Sequence, residues 1–407
     1  MLNTIPSLNR REFLIASLGG LSLASLPAEK KTVAAIVTEY RYRSHADVIC
    51  GRILEGYTPD NVRVQPRTRI VSMYTDQIAE KDMSRDLAAK HDFKIYPTVA
   101  EALTLGGEKL AVDAVLLVGE HGKYPTNEMG QKLYPRYELF QQIMKIFQKG
   151  GRSVPLFSDK HLSYAWPKAR DMYGQARELG FAFMAGSSIP VTVRTPELEL
   201  PLDCQLENAL SIGYGDLDAY GFHTLETLQC MVERRAGGEK GLAAVEIREG
   251  EAVWNWRDSS DGQWSKPLLE SALERSTRKK VGPPEQNARK PALFLLEYRD
   301  GFRAASFMLD GHTSDFLFAA KLKDRAEPVS SLFALPSGRD LPHFDGLVHC
   351  IEEMFVTGRA VYPVERTVLT TGALAFLFES RHRRQRLETP DLTIAYRAPR
   401  QAYFQRA

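Results

Sequence analysis

Between residues 32 and 188, short apolar runs alternate with stretches of helical periodicity, and this alternation limits the possible folds most sharply. The runs are TVAAIVT (32–38), RIVSMYTD (69–76), VDAVLLVGE (112–120), SVPLFSD (153–159) and AFMAGSS (182–188), with KIYPT (94–98) as a short strand or loop. Strands that are apolar on both faces must be covered on both faces, which is the condition of a parallel sheet between two layers of helices. The intervening segments supply those layers. SHADVICGRILEGY (44–57) puts Val48, Ile49, Ile53 and Leu54 on one helical face, and YELFQQIMKIFQKGG (137–151) is amphipathic and closes on glycines. Segments 78–92, 99–110 and 164–180 also read as helices. The expectation is a doubly wound, Rossmann-like α/β domain over 30–190, with ligands beyond the carboxyl ends of its strands.

After residue 190 the pattern changes. VTVRTPELELPL, ENALSIGYG, LAAVEIREGEAVW, ALFLLEYRDGFRAASFML and DFLFAAKLK read as strands without regular crossovers, around the helix FHTLETLQCMVERRAGG (222–238). They predict an α+β domain over 191–385 with an open, mostly antiparallel sheet, followed by a tail over 386–407. Two closing helices, 347–358 and 365–383, are expected to pack back near the first domain.

The chain has 407 residues and a net charge of +2, so its charge gives no support to a nucleic-acid or membrane-surface role. RHRRQR (381–386) has no interleaved aromatics and reads as a solvated segment. Four cysteines lie far apart with no CxxC pair. At the N-terminus, Arg10 and Arg11 precede a short apolar run and small residues, the layout of a twin-arginine export signal over 1–28. The expected location is periplasmic or extracellular. The run from Phe13 to Leu26 is short for a membrane span, and no later stretch is long and apolar enough.

Candidate chemistry gathers at predicted strand ends. Asp159, Lys160 and His161 follow the fourth run, and His223 opens a helix with Glu226 one turn later. A lysine and a histidine converging on one pocket can bind a hydroxyl and move its proton. Glu39, His45, Glu120 and His121 lie at other strand ends, but no HxxxH or HExxH spacing occurs among these residues, so no metal site is assigned. The long connection 119–140 holds Tyr124, Tyr134 and Tyr137, and reads either as a lid or sugar-stacking loop or as a plain surface loop.

In this order and spacing the motifs resemble the glucose–fructose oxidoreductase, inositol dehydrogenase and MocA (Gfo/Idh/MocA) family over about residues 30 to 385. Asp159-Lys160-His161 stands at its Glu-Lys-Pro, and Gly221-Phe222-His223-Thr224-Leu225-Glu226 at its G-x-H-x-x-D helix start. VDAVLLVGEHGKYP is similar to its strand near the nicotinamide. The resemblance implies an oxidoreductase acting on a sugar or polyol with NAD or NADP, and homo-oligomers. Lys160, beside Asp159, would orient the substrate, with His223 as general base. Two departures touch the proton relay: Glu-Lys-Pro is altered on both sides of its lysine, and the aspartate expected four residues before the histidine is Ala219, with Asp218 one position off.

The largest departure is the first turn, Thr38-Glu39-Tyr40-Arg41-Tyr42-Arg43-Ser44-His45, which has no glycine. A G-x-G-x-x-G turn lets backbone approach a pyrophosphate at a helix N-terminus. Here Thr38, Glu39 and Tyr40 stand in that approach, whereas Arg41 and Arg43 could pair with phosphates through their side chains. Asp76 holds the place of a ribose-binding acid or is a strand-end turn residue. Two readings stand. One is an oxidoreductase holding NAD(P) atypically near Thr38, Tyr40, Arg41, Arg43, Asp76 and Glu120. The other is a cofactor-less relative: a carbohydrate-binding protein, or a non-redox lyase or hydrolase using the same cleft.

Overall fold

The computed structural model describes residues 29–336 and 341–407. The export-signal expectation falls on residues 1–28, outside this range. Among the described residues, six strands make the first sheet: β1 (Lys31–Val37), β2 (Thr68–Thr75), β3 (Lys94–Ile95), β4 (Ala114–Val118), β5 (Leu156–Asp159) and β6 (Phe183–Gly186). Their order is β3-β2-β1-β4-β5-β6, and every pairing is parallel. Strand order reverses between β1 and β4, which places a crevice at their carboxyl ends. Val33–Val37 and Ala114–Val118 are fully buried. One face packs on α1 (His45–Glu55) and the other on α3 (Val99–Thr104), α4 (Arg136–Gly150) and α5 (Trp166–Leu179). The short helix α2 (Ser84–His91) precedes β3.

The second sheet has eight strands: β7 (Arg194–Thr195), β8 (Leu206–Gly213), β9 (Leu242–Glu249), β10 (Ala292–Tyr298), β11 (Arg303–Met308), β12 (Phe316–Leu322), β13 (Val329–Phe333) and β14 (Leu387–Glu388). They run in the order β14-β9-β10-β11-β8-β12-β13-β7, antiparallel except for β11 with β8. One face carries α6 (Ala219–Val232). The opposite face is covered by α7 (Glu251–Asp258) and α8 (Ser265–Glu274), whose Val253, Trp256, Leu268 and Leu269 pack on Ile212, Leu293, Phe307 and Leu317. A four-residue helix, α9 (Pro284–Asn287), follows. Of the closing helices, α10 (His343–Thr357) packs on α1, and α11 (Glu365–Arg383) lies between α5 of the first half and α6 and β9 of the second. One apolar cluster runs through both halves, and residues 31–407 form a single compact unit.

Local expectations shift in three places. EAVW after β9 begins α7 instead of extending the strand, because Gly250 at φ 63° turns the chain. Within VTVRTPELELPL only Arg194–Thr195 pairs, since Pro196 follows immediately and has no amide to continue the ladder. Residues beyond 386 are more than a tail. β14 pairs with β9, Leu392 and Phe404 are buried, and Arg406 N donates to Asp60 Oδ1 at 2.7 Å, so the segment straps the second sheet to the first half. Among the described residues, no helix is long and apolar enough to cross a membrane.

Candidate functional site

β5 ends at Asp159, and the next residue turns sharply. Lys160 has φ 69°, a left-handed conformation that costs a side-chain-bearing residue about 1–2 kcal/mol. Its amide donates to Gly186 O at 3.0 Å, which pins the turn against the end of β6. The side chain is thereby aimed toward α6. There Lys160 Nζ lies 2.6 Å from His223 Nε2 and 3.8 Å from Glu120 Oε1 at the end of β4. These three residues, with His45, His121 and His343, line a cavity of about 360 Å³ between the two sheets. That is near the lower end for small-molecule sites and suits a single small ligand. Tyr214, Tyr220, Phe316 and Phe344 supply its apolar walls.

The polar groups around the cavity are tightly paired. Glu120 accepts from the buried guanidinium of Arg136, and its backbone carbonyl accepts from Thr38 Oγ1 at 2.7 Å. Burial raises the Glu120 pKa, but the charges of Lys160 and Arg136 outweigh it and hold the carboxyl well below the usual range. Burial keeps His223 neutral, with the Lys160 charge acting in the same direction. His121 is pushed down to about 4 and His343 to about 3, in both cases chiefly by burial. A neutral His223 whose Nε2 accepts from the Lys160 ammonium carries its proton on Nδ1. That nitrogen is 2.9 Å from Ser187 Oγ, just beyond β6. Ser187 Oγ and N both reach Glu226 Oε2, at 2.5 and 3.0 Å. Burial pushes the Glu226 carboxyl up to about 7, against the pull of the two Ser187 hydrogen bonds.

The structure thus brings Lys160, His223 and Glu120 together and gives Asp159 a different place. Asp159 is fully buried behind the cavity, and its Oδ2 is 2.7 Å from His45 Nδ1, so it orients His45. His161 pairs with Arg136 at 3.0 Å. Asp218 accepts from Lys132 N at 2.8 Å and lies 4.0 Å from His161; its contacts are away from His223, and burial raises it to about 6. Ser187 carries no family signature in sequence. The aromatic wall residues Tyr214, Tyr220 and Phe316 are equally silent there, since they resemble ordinary core aromatics.

The residues at the cofactor end fit a dinucleotide poorly. Thr38 is fully buried and bonded to the β4 end. Tyr40 is fully buried in the core below β1, and its hydroxyl has no partner among the described residues. Arg41 pairs with Glu39 at 2.5 Å. The N-terminus of α1, where a pyrophosphate would sit, is already engaged. Ser44 Oγ caps the Asp47 amide at 3.3 Å, the Asp47 carboxylate accepts from Arg43 N at 2.7 Å, and His45 N donates to His121 Nδ1 at 3.3 Å. A helix start occupied by its own carboxylate offers little to a second anion. Both oxygens of Asp76 are also taken, by Tyr74 Oη at 2.9 Å and Tyr124 Oη at 2.6 Å. Lys123 N and O bond to the Gln77 side chain at 2.9 and 3.2 Å. The 119–140 connection therefore lies across the strand ends where a nucleoside would extend. Tyr124, Tyr134 and Tyr137 are absent from the cavity lining; Tyr137 bonds Asp171. A dinucleotide held in the usual way does not fit these residues. Among the described residues no group of three or more His, Cys, Asp or Glu is arranged to hold a metal ion.

No protein-family model and no curated protein matches the sequence. Among solved structures, the fold is similar to GenD2 from gentamicin A biosynthesis in complex with NAD, with a TM-score of 0.56 at 13% identity over 90% of this chain and 98% of that one. It is also similar to apo scyllo-inositol dehydrogenase from Lactobacillus casei (TM-score 0.51, 10% identity, 88% of this chain, 98% of that one). A third is myo-inositol 2-dehydrogenase from Lactobacillus plantarum (TM-score 0.50, 9% identity, 88% and 99%). At such identities the likeness is one of fold, the six-stranded parallel sheet joined to a larger, mostly antiparallel one.

Proposed function

We propose that the chain is a Gfo/Idh/MocA-like enzyme that acts on a hydroxyl of a small sugar or polyol in the cavity between its sheets. The observation that carries this is the 2.6 Å contact between Lys160 and His223, set against a cavity sized for one small ligand and walled by aromatic rings. Lys160 orients the hydroxyl and handles its proton, with His223 behind it. The tyrosine and phenylalanine rings pack on sugar C–H faces. Buried Glu120 and Arg136 fix the electrostatics around the ammonium.

In the oxidoreductase version a bound NAD or NADP would supply the hydride acceptor, as the dehydrogenase neighbours suggest. The α1 terminus and Asp76 are engaged, so the dinucleotide would lie outside the usual trough, with Arg41 and Arg43 toward its phosphates. The closed trough favours a second version, in which the same cavity serves a non-redox lyase or hydrolase, or binds carbohydrate. Thermal unfolding of the purified chain with NAD and NADP separates the two. A ligand at 100 times its dissociation constant adds about 2.7 kcal/mol. A shift with either nucleotide supports the first version; no shift and no nicotinamide absorbance supports the second. Lys160→Ala and His223→Ala should each lower turnover of a responsive sugar by about 10²-fold or more. Unchanged turnover in both would place the active site elsewhere. Export through residues 1–28 and homo-oligomer formation belong to the same proposal, and are checked by fractionation and by sedimentation of the mature chain.

A further inference from the structure

A continuous line of buried polar groups runs away from the cavity into the interior. Lys160 Nζ, His223 Nε2 and Nδ1, Ser187 Oγ and Glu226 Oε2 follow one another at 2.6, 2.9 and 2.5 Å. All four residues are nine-tenths or more buried. Each link also has a definite direction. An ammonium has only protons to give, so it donates to Nε2; Nδ1–H then donates to Ser187 Oγ, and the hydroxyl proton is left for the carboxylate.

We propose that Ser187 and Glu226 complete a proton wire, so that Glu226 takes up the Lys160 proton through His223 and leaves Lys160 as the amine base facing the cavity. The inference rests on the assignment of Lys160 and His223 to the reacting end of the site. The step balances in protons alone. One Nζ–H bond breaks and Nε2–H forms; Nδ1–H breaks and Oγ–H forms; the original Oγ–H breaks and Oε2–H forms. His223 ends in its other neutral tautomer and never becomes charged, in keeping with its burial. The amine then takes the substrate hydroxyl proton, and the net change is one proton moved from substrate to Glu226.

The surroundings of Glu226 suit a proton terminus. A Cβ on Gly186 would come within 2.5 Å of Glu226 Oε1, so glycine at that place leaves room for the carboxyl. The charges facing it are Lys160 at the end of β5 and Arg366 on α11, and both favour the ionised form. Arg366 is already bound by Glu233 at 2.9 Å, however, and burial outweighs both cations. Tyr362 before α11 and Cys230 on α6 also face Glu226, and burial raises both of them, Cys230 to about 11. Neither competes for a proton near neutrality. A hydroxyl is what this position requires, because it both accepts from Nδ1 and donates to a carboxylate.

The test needs no ligand. Infrared difference spectra of the full chain, recorded between pH 5 and pH 9, should show a protonated-carboxyl stretch that titrates near neutrality and is missing in Glu226→Gln. Nitrogen-15 spectra of histidine-labelled protein should show His223 as the Nδ1–H tautomer. Ser187→Ala should move the Glu226 band to higher pH, because its hydroxyl no longer donates to the carboxylate, and Ser187→Thr should move it back, while Lys160 keeps His223 in the same tautomer. No Glu226-dependent band in that range, or an Nε2–H tautomer in the wild type, overturns the wire. Its failure is distinct from failure of the proposed function. If Lys160→Ala and His223→Ala leave turnover intact while the band titrates, the wire stands and the assignment of the reacting end falls.

Discussion

Replacing Glu226 by glutamine gives a stability difference whose pH dependence can be worked out beforehand. The carboxyl titrates near 4.5 in an unfolded chain and is pushed up to about 7 in the fold. Between those values the folded chain binds more protons than the unfolded one. Stability therefore falls as pH rises through the interval, by about 3 kcal/mol in all at 1.36 kcal/mol per pH unit. An amide in its place does not titrate, so the Glu226→Gln variant lacks this loss. The buried side chains of His121, His161, His223 and His343 have lowered values, and their stability is lost as pH falls below 6.5. They act on both proteins and cancel in the difference. Any fixed cost of packing an amide beside Ser187 cancels as well. The expected outcome is that Glu226→Gln gains about 2–3 kcal/mol on wild type between pH 5 and pH 8. Urea unfolding followed by tryptophan fluorescence at the two pH values gives each free energy from midpoint and slope. If the variant-to-wild-type difference is the same at both pH values, Glu226 does not titrate in the fold and the burial argument is wrong.

Glu120→Gln leaves the buried Arg136 and Lys160 cations uncompensated and should cost about 3–5 kcal/mol at pH 7. Because the Glu120 pKa is depressed, that cost should shrink as pH falls below 4.5, which urea midpoints at two pH values will show. Tyr40→Phe removes a buried hydroxyl with no partner among the described residues and should be neutral or stabilising by about 1 kcal/mol; a loss above about 1 kcal/mol would mean the hydroxyl has an uncounted role. Tyr124→Phe frees Asp76 Oδ2 and should cost about 1–2 kcal/mol while speeding protease cleavage within 121–134, read by mass spectrometry of the fragments.

The parallel sheet is legible in the sequence because β1 and β4 are apolar on both faces, a pattern that only double coverage explains. Lys160 is legible at a strand end and His223 near a helix start, which the fold begins at Ala219, and the fold brings the two within hydrogen-bond reach. Asp159 shows the limit. The sequence presents it with Lys160 as one unit, yet the left-handed turn at Lys160 aims that side chain toward α6, while Asp159, the last residue of β5, turns to His45. Ser187 is illegible for a related reason: its partners are 36 and 39 residues away in sequence, and a serine after a strand has no local signal. α8 escapes a sequence reading because its loop-like flanks, Gly262 and the turn after Glu274, dominate a short amphipathic stretch.

The two ends of the crevice have largely distinct structural supports, joined where Thr38 Oγ1 donates to the Glu120 carbonyl and where Asp159 holds His45. Lys160 is set by the turn after β5 and its bond to Gly186, and His223 by α6 and Ser187; none of these supports involves the β1–α1 turn. The phosphate end depends on that turn, and there Ser44, Asp47 and Glu39 satisfy the chain's own donors and cations. Ser44 caps α1 and Tyr40 is buried in the core, so the side chains of this turn stabilise it locally and leave little there for an anion. Tyr124 and Lys123 then extend the closure across β2 through Asp76 and Gln77. The β1–β2 end is thus closed by the chain's own side chains, while Lys160 and His223 face the cavity at the other end.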